Sequence, residues 1–452
     1  MSESVSVGIL GAGISGLSIA YALEKAGIPI TVYERSAEVG GAIHSVEKNG
    51  WLIEEGPNTL MIKSREVWDL LDDLGLEREI VEANKVAKKR FVVKDKNPVA
   101  IPMSAGNFLT TPLISAGAKL RLFKEPFVKA SDQEDESVAE FIKRRIGRQP
   151  LDYGVNPFVS GIYAGDPKKL SIKHTFSALW DLEQQYGSIM KGMLKRGRTE
   201  SRPKRAMISF QKGNQVLPKA MAKALKHPVK TSYTISSIKK SKDADWVITG
   251  TSPDKAFEAR HQCLVSTLPT YVFGELFEPE FVGELAHLPY APVSVLGLGF
   301  NADHIDHPLD GFGVLIPEVE NFNTLGALFS STLFPNRAPK EHELLTCFIG
   351  GARNPELARK STKKLSEIVL DELSRLIGIR GEPVFQHHKY WQKAIPQYTV
   401  GYDRYLAAMN KIEGQNPGLY LQGNFRKGVS VPDCISSGFE TAQDVLSFLK
   451  SQ

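Results

Sequence analysis

Apolar and polar positions along this chain alternate in short blocks separated by glycine, so an α/β protein is predicted. Residues 5–10 form an apolar strand-like run, and residues 14–25 carry apolar positions at helical spacing up to Gly27. A second strand is predicted over 28–33. Residues 76–105 are strand-like with interleaved basic residues, and 106–204 hold several helical stretches with little strand pattern. Short strands with turns return between 290 and 350, as in VSVLGLGF and ELLTCFIGG. The segments AMISFQKGN and CLVSTLP read as strands that return to the first unit. Near the other end, 418–422 is a short apolar strand, Gly423 and Asn424 make a turn, and Pro432 opens an amphipathic helix running to Leu449. No internal repeat or low-complexity tract interrupts this order.

The turn between the first strand and helix carries the most specific chemistry. Gly11, Gly13 and Gly16 stand in the spacing G-x-G-x-x-G, with Ala12, Ile14 and Ser15 between them, and the second strand ends on Glu34 and Arg35. Glycines there allow a tight turn and close backbone approach, and the helix N-terminus presents unpaired amides to a pyrophosphate. Glu34 is spaced to bind a ribose hydroxyl. This Rossmann-type unit serves NAD and FAD alike. A second glycine turn at Gly40, Gly41 and Ala42, and a chain end that comes back with its own glycine turn and helix, point to FAD. The N-terminus of that last helix would stabilise negative charge on a reduced flavin ring.

Bulk properties restrict the remaining classes. No run approaches the roughly 18 apolar residues of a spanning helix, and the chain opens on MSES and VSVGIL without a charged-then-apolar leader, so a cytoplasmic, unprocessed start is expected. Cys263, Cys347 and Cys434 are scattered, which suits a reducing compartment and offers neither a disulfide framework nor metal spacing. A formal net charge of +5 is too small for a nucleic-acid binder of this length. Cations do gather at Lys85, Lys88, Lys89 and Arg90 and at Lys143, Arg144 and Arg145; such clusters suit an acidic ligand, an anionic membrane surface or a plain solvated face. Residues 99–130 mix apolar positions with Lys119, Arg121 and Lys124, the pattern of surface membrane attachment or of an ordinary pair of core helices.

Three blocks behind the N-terminal fingerprint, EEGPNT at 54–59, PFVSGIYAGDPKKL at 157–170 and GNFRKGVSVPDCIS at 423–436, resemble the protoporphyrinogen oxidase family of the flavin amine-oxidase superfamily. The resemblance spans nearly the whole chain, and its middle block is the most specific. It implies a Rossmann-type FAD-binding domain (1–75, 205–269 and 396–452), a mixed-sheet substrate-binding domain (76–105 and 270–395) and an inserted helical, membrane-associating domain (106–204). It also implies that Gly11 to Gly16 and Glu34 hold the FAD diphosphate and ribose, with Arg35, Gly40, Gly41 and Ala42 beside them. Gly56, Pro57, Asn58 and Thr59 would run along the flavin, Val229 would lie by the adenine and Trp391 near the isoalloxazine. Asn424 and the backbone of Val429, Ser430 and Val431 would meet the ring. Many relatives carry arginine where this chain has Ala42, which removes a side-chain role there but not a backbone one. On the substrate side the resemblance implies that Arg90 pairs with a propionate, a bidentate match of guanidinium and carboxylate. Gly161 would turn its carbonyl to the pyrrole N–H groups, and Leu315 and Phe329 would sandwich the macrocycle.

The implied activity is oxidation of protoporphyrinogen IX to protoporphyrin IX in haem synthesis, by successive hydride transfers to flavin N5 with reoxidation by O2 or by a membrane electron acceptor. His44, His174, His387 and His388 fit no nucleophile or metal pattern, so no essential histidine base is expected. The expected setting is cytoplasmic, peripheral on the inner face of the cell membrane, with a homodimer left open. Coproporphyrinogen III oxidation is the nearest alternative. An amine or carotenoid oxidoreductase, and a non-catalytic flavin-bearing porphyrin carrier, are more distant ones.

Overall fold

The structure, a computed structural model, describes residues 6–195, 205–241, 245–277 and 282–452. Val5 and the segment 196–204, which the sequence reading had placed in the first strand and the helical insert, lie outside the described residues. The elements that frame the site are, in chain order, strand β1 (Val7–Leu10), helix α1 (Ile14–Lys25) and strands β2 (Ile30–Tyr33), β3 (Phe91–Lys94) and β4 (Asn97–Ala100). Then come helix α2 (Asn156–Tyr163), strands β5 (Cys263–Ser266), β6 (Tyr290–Asn301), β7 (Gly313–Leu315), β8 (Thr324–Phe329) and β9 (His342–Gly350), and helix α3 (Thr362–Ile377). Strand β10 (Phe385–Pro396), helix α4 (Asp403–Gln415), strand β11 (Leu419–Leu421) and helix α5 (Val431–Ser451) complete the frame.

One sheet has the order β11-β5-β1-β2, all parallel, so strands from the start, middle and end of the chain lie side by side. Every residue of β1 is buried, as expected of a parallel strand covered on both faces. Helices α1 and α5 pack together on this sheet through Gly438: a Cβ there would lie 2.8 Å from Ser18 Cβ, so only glycine lets the two backbones approach this closely.

The other sheet has the order β10-β6-β9-β8-β7-β3-β4 and is mixed, β7 and β3 being parallel and the remaining neighbours antiparallel. Its two faces separate cleanly by register. Leu296, Leu298, Phe300, Val314, Ala327, Phe329, Leu345 and Cys347 point to one face, where Leu365, Val369, Leu373 and Leu376 of α3 close a core. The opposite face meets the first domain: added Cβ atoms at Gly297 and Gly299 would lie 2.4 Å from Ile53 and 2.3 Å from Trp51.

Two expected boundaries move. Ile80–Glu82, placed with the second domain, pairs with Ala206–Phe210, which also pairs with Leu60–Ile62 of the first. Phe273, Leu285 and Leu288, also assigned to the second domain, pack in one cluster with Leu264, Tyr402 and Leu421 around the parallel sheet. In both places the hydrophobic contact that decides membership is long-range.

Of the cluster Lys143, Arg144, Arg145, Lys143 is exposed, but the two arginines are neither a solvated face nor a free cationic patch. Arg145 is fully buried with Glu125 and Glu183, and Arg144 joins Glu183 and Glu136, so the two arginines form an internal ion network of the insert. Among the described residues no helix is long and apolar enough to cross a membrane, and no cluster of metal-ligating side chains occurs.

Candidate active site

Three glycine-bearing segments converge above β1. Gly13 bridges Gly40, whose amide donates to the Ala12 carbonyl at 2.9 Å, and a Cβ on Gly41 would lie 3.3 Å from Gly13 Cα. Gly56 is wedged against the same turn, since an added Cβ would lie 1.9 Å from the Ala42 carbonyl oxygen. Gly16 is closed off by the Gly11 carbonyl at 2.0 Å, whereas a Cβ at Gly13 would meet no described heavy atom within 4 Å. No side chain caps α1. Its first-turn amides therefore face open space next to Gly13, the arrangement that receives a phosphate. Glu34 closes the turn from below: its carboxylate accepts from the amides of Ala12 at 2.9 Å and Ser36 at 2.8 Å. Val229 lies beside this end, because Lys230 pairs with Tyr33 and its carbonyl accepts the Glu34 amide.

The C-terminal turn reaches the same place. Ser430 caps α5 by accepting the Asp433 amide at 3.2 Å; Asn424 and Val429 sit in the turn that precedes that helix, and Val431 is its first residue. Asn58 donates to the Gly56 carbonyl at 3.0 Å, and Asn214 holds the Pro57 carbonyl at 2.7 Å, so the 56–59 segment ending at Thr59 is fixed from two sides. Trp391 on β10 donates its indole N–H to the Glu55 carbonyl at 2.6 Å. An open cleft of about 300 Å³ lined by Tyr271, Tyr390, Trp391, Gln392 and Lys393 adjoins it.

Glu55 is a feature that sequence reasoning missed. Its buried carboxylate accepts from His44 at 2.9 Å and His387 at 2.8 Å and pairs with Lys389 at 3.2 Å. Burial alone would raise its pKa; the His387 and Lys389 hydrogen bonds and the neighbouring positive charges outweigh that and hold it below the usual carboxylate range. The two histidines are therefore partners of a buried acid in a contact between the domains. Nothing local in the sequence pairs residues 55 and 387.

On the second sheet, the face toward this cradle carries Leu315, Gly326, Phe348 and Val295 as one cross-strand row. Leu328 lies one step along β8 on the same face, and Gly161 of α2 packs here, an added Cβ lying 3.0 Å from Leu315. Strand alternation puts Arg90 on this side next to Val92, with its guanidinium 5.2 Å over the Phe312 ring. Among the described residues Arg90 has no carboxylate partner, whereas Lys89 pairs with Asp310 at 2.7 Å.

Phe329 is a correction. It points to the opposite face, fully buried against Phe91 and His307, and has no surface left for a macrocycle. Both faces of β8 are apolar, so composition alone does not set its orientation, and a slip of one residue exchanges Phe329 for Leu328. On β9 the aromatic residue on the site face is Phe348, partly exposed where its neighbours in the strand are buried.

Comparison with known proteins places these features in a family. Residues 14–446 match the family described as flavin containing amine oxidoreductase. The chain is 38% identical to protoporphyrinogen oxidase 2, chloroplastic/mitochondrial, of Arabidopsis thaliana, over 99% of this chain and 96% of the relative. It is 29% identical to coproporphyrinogen III oxidase of Bacillus subtilis, over 98% of each. A crystal structure of a protein from Exiguobacterium sp. 255-15 superposes with a TM-score of 0.82 at 23% identity, covering 99% of both chains. The chain belongs to the flavin-containing amine oxidoreductases and, within them, to the protoporphyrinogen oxidase family.

Proposed function

We propose that this protein binds FAD and oxidises a porphyrinogen to the porphyrin, with protoporphyrinogen IX as substrate. The observation that carries the reading is the site face of the mixed sheet: a flat apolar row of Leu315, Gly326 and Phe348, with Arg90 near its edge and free of any described carboxylate partner. A planar ring bearing carboxylates fits such a surface, because the ring buries apolar area while a guanidinium engages a propionate bidentately. Full-length similarity to proteins named protoporphyrinogen oxidase supports the same substrate class.

In this reading Gly11 to Gly16, Gly40, Gly41 and Ala42 receive the diphosphate, Glu34 and Arg35 the ribose, and Val229 the adenine. Gly56, Pro57, Asn58, Thr59, Trp391, Asn424, Val429, Ser430 and Val431 surround the flavin. The bound flavin supplies the hydride-accepting centre, and electrons leave to O2 or a membrane acceptor. The protein's part is placement: Arg90 anchors a propionate, the row under the ring excludes water, and the Gly161 carbonyl faces the pyrrole N–H groups.

Anaerobic mixing with protoporphyrinogen IX tests the reading. The yellow flavin is expected to bleach as porphyrin fluorescence appears; a flavin that stays oxidised would leave a carrier, not an enzyme. The coproporphyrinogen III alternative is favoured by one observation, the match to the Bacillus subtilis relative over 98% of the chain. The ratio of kcat/KM for the two substrates decides between them. Arg90→Ala is expected to raise KM by about 10- to 100-fold, the worth of a charge-assisted hydrogen-bonded pair, with flavin content unchanged. Equal kinetics would remove Arg90 from the substrate site.

Peripheral membrane attachment belongs to the same proposal. Met103, just before the insert, and Leu109, Leu120, Phe123 and Phe127 within it are all 63% exposed or more, Phe127 reaching 86%, which is unusual for apolar side chains grouped in one segment. Lys119 and Arg121 do not extend this patch as free charges; Lys119 donates to the Leu109 and Thr111 carbonyls and Arg121 to that of Arg144, bracing the loop instead. Phe127→Asp is expected to cut co-sedimentation with anionic liposomes severalfold while turnover of detergent-dispersed substrate persists. Unchanged sedimentation would argue against this surface.

A further inference from the structure

Between the substrate-side helix and the C-terminal turn lies one residue that touches both. Tyr398 follows β10 and is 3% exposed. Its hydroxyl donates to the Asn424 carbonyl at 2.5 Å and accepts from the Gly428 amide at 2.9 Å, so a single oxygen closes both ends of the turn that leads into Val429 and Ser430. The Tyr398 carbonyl accepts the Ser171 amide at 2.7 Å, in the helical insert. The preceding side chain, Gln397, donates to the Tyr163 carbonyl at 2.9 Å, at the last residue of α2. The Tyr398 ring lies 6.2 Å from that of Tyr163 and 4.6 Å from that of Tyr402, whose own hydroxyl donates to the Phe425 carbonyl at 2.7 Å. Burial pushes the Tyr398 phenol well above its usual range, so it stays neutral and serves as donor and acceptor together.

We propose that Tyr398 is a positioning residue of the reaction: it sets the turn 424–428 against α2, and thereby fixes the flavin-facing backbone relative to the helix that carries Gly161. The substrate macrocycle and the cofactor are held by different domains, so the distance between their reacting atoms depends on the few residues that join them. Residues 397 and 398 supply hydrogen bonds in both directions from adjacent positions. Tyr402 grips the turn at its middle only. The inference rests on the reading of 424–431 as flavin-facing.

Tyr398→Phe keeps the ring packing and removes only the oxygen. With the fold intact by circular dichroism, three changes are expected: amide exchange at Gly428 accelerates about tenfold or more, the dissociation constant of FAD from the apoprotein rises about tenfold, and kcat falls while KM moves by less than about threefold. Tyr405→Phe is the control, because that hydroxyl bonds to Arg404 and His287 and not to the turn, and wild-type behaviour is expected of it. Unaltered Gly428 exchange and FAD affinity in Tyr398→Phe overturn the proposal, as does an equal loss in Tyr405→Phe, which would indicate general loosening. Should Tyr398→Phe fail to fold, the wild-type protein decides: the Gly428 amide is expected to exchange more slowly than that of Lys427, and equal rates would refute the clamp. Failure of the wild type to bleach with porphyrinogen would instead overturn the function proposed above and leave the exchange and FAD measurements readable.

Discussion

Gly13→Val is expected to yield a folded protein that has lost its flavin. The reason lies in the contrast between two glycines of one motif. At Gly16 an added Cβ would sit 2.0 Å from the Gly11 carbonyl oxygen, so a side chain there breaks the turn itself and costs stability. At Gly13 the same construction meets no described atom within 4 Å, although the residue is flanked by the uncapped start of α1 and by Gly40 and Gly41. The backbone at Gly13 is extended, with φ of −73°, so valine is tolerated without strain. The space is therefore free of protein but is where a phosphate would approach the α1 amides, and an isopropyl group would occupy it. Purification of Gly13→Val should give wild-type circular dichroism and a melting temperature close to that of the wild-type apoprotein, with the visible flavin bands absent and FAD affinity reduced by at least about 100-fold, or roughly 3 kcal/mol. A yellow Gly13→Val protein would mean that the diphosphate lies elsewhere.

The motif around Gly13 was legible because its determinants are local. The helix predicted over 14–25 is observed at Ile14–Lys25, its limits set by Gly13 before it and by Gly27 after it, in the left-handed region at φ of 81°. The strand recognised in VSVLGLGF falls within β6, and that in ELLTCFIGG matches β9 up to Gly350; largely apolar, mostly buried residues mark both. The same property hid the orientation of β8. When both faces are apolar, alternation carries no sign, and Phe329 and Leu328 could not be told apart until the register with Phe348 was known. Glu55 was obscured for another reason: the adjacent carboxylates Glu54 and Glu55 of EEGPNT give no local hint of His387 and Lys389, which an interdomain contact brings to Glu55. The cofactor cradle is thus written in contiguous residues, whereas the substrate face is written in pairings between distant ones.

The ion network of the insert gives the other large effect: Arg145→Ala is expected to destabilise this region by about 3–5 kcal/mol. Arg145 donates to Glu125 at 3.1 Å, to the Val128 carbonyl at 3.0 Å and to the Gly187 carbonyl at 2.8 Å, and it also pairs with Glu183. Glu125 in turn accepts from Ser188 at 2.6 Å and from the amides of Ile189 and Met190 at 2.9 and 3.1 Å. Arg145, Glu125 and Glu183 are all fully buried. Truncating the arginine leaves Glu125 without its cation and Glu183 with Arg144 alone, both away from water, and takes a donor from the Val128 and Gly187 carbonyls. Coulomb attraction and desolvation nearly cancel in an intact buried pair, so the loss comes mainly from what is left uncompensated. Lys143, exposed and two residues away, supplies the control, since its alanine variant should lie within about 0.5 kcal/mol of wild type. Because all partners of this network lie within the insert, between Glu125 and Met190, the insert should open before the parallel sheet does. Denaturant titration of Arg145→Ala is therefore expected to show an early transition, accompanied by proteolytic cleavage between residues 106 and 195, before flavin is released. A single late transition coinciding with that of Lys143→Ala would show that the buried ions carry none of the insert's stability.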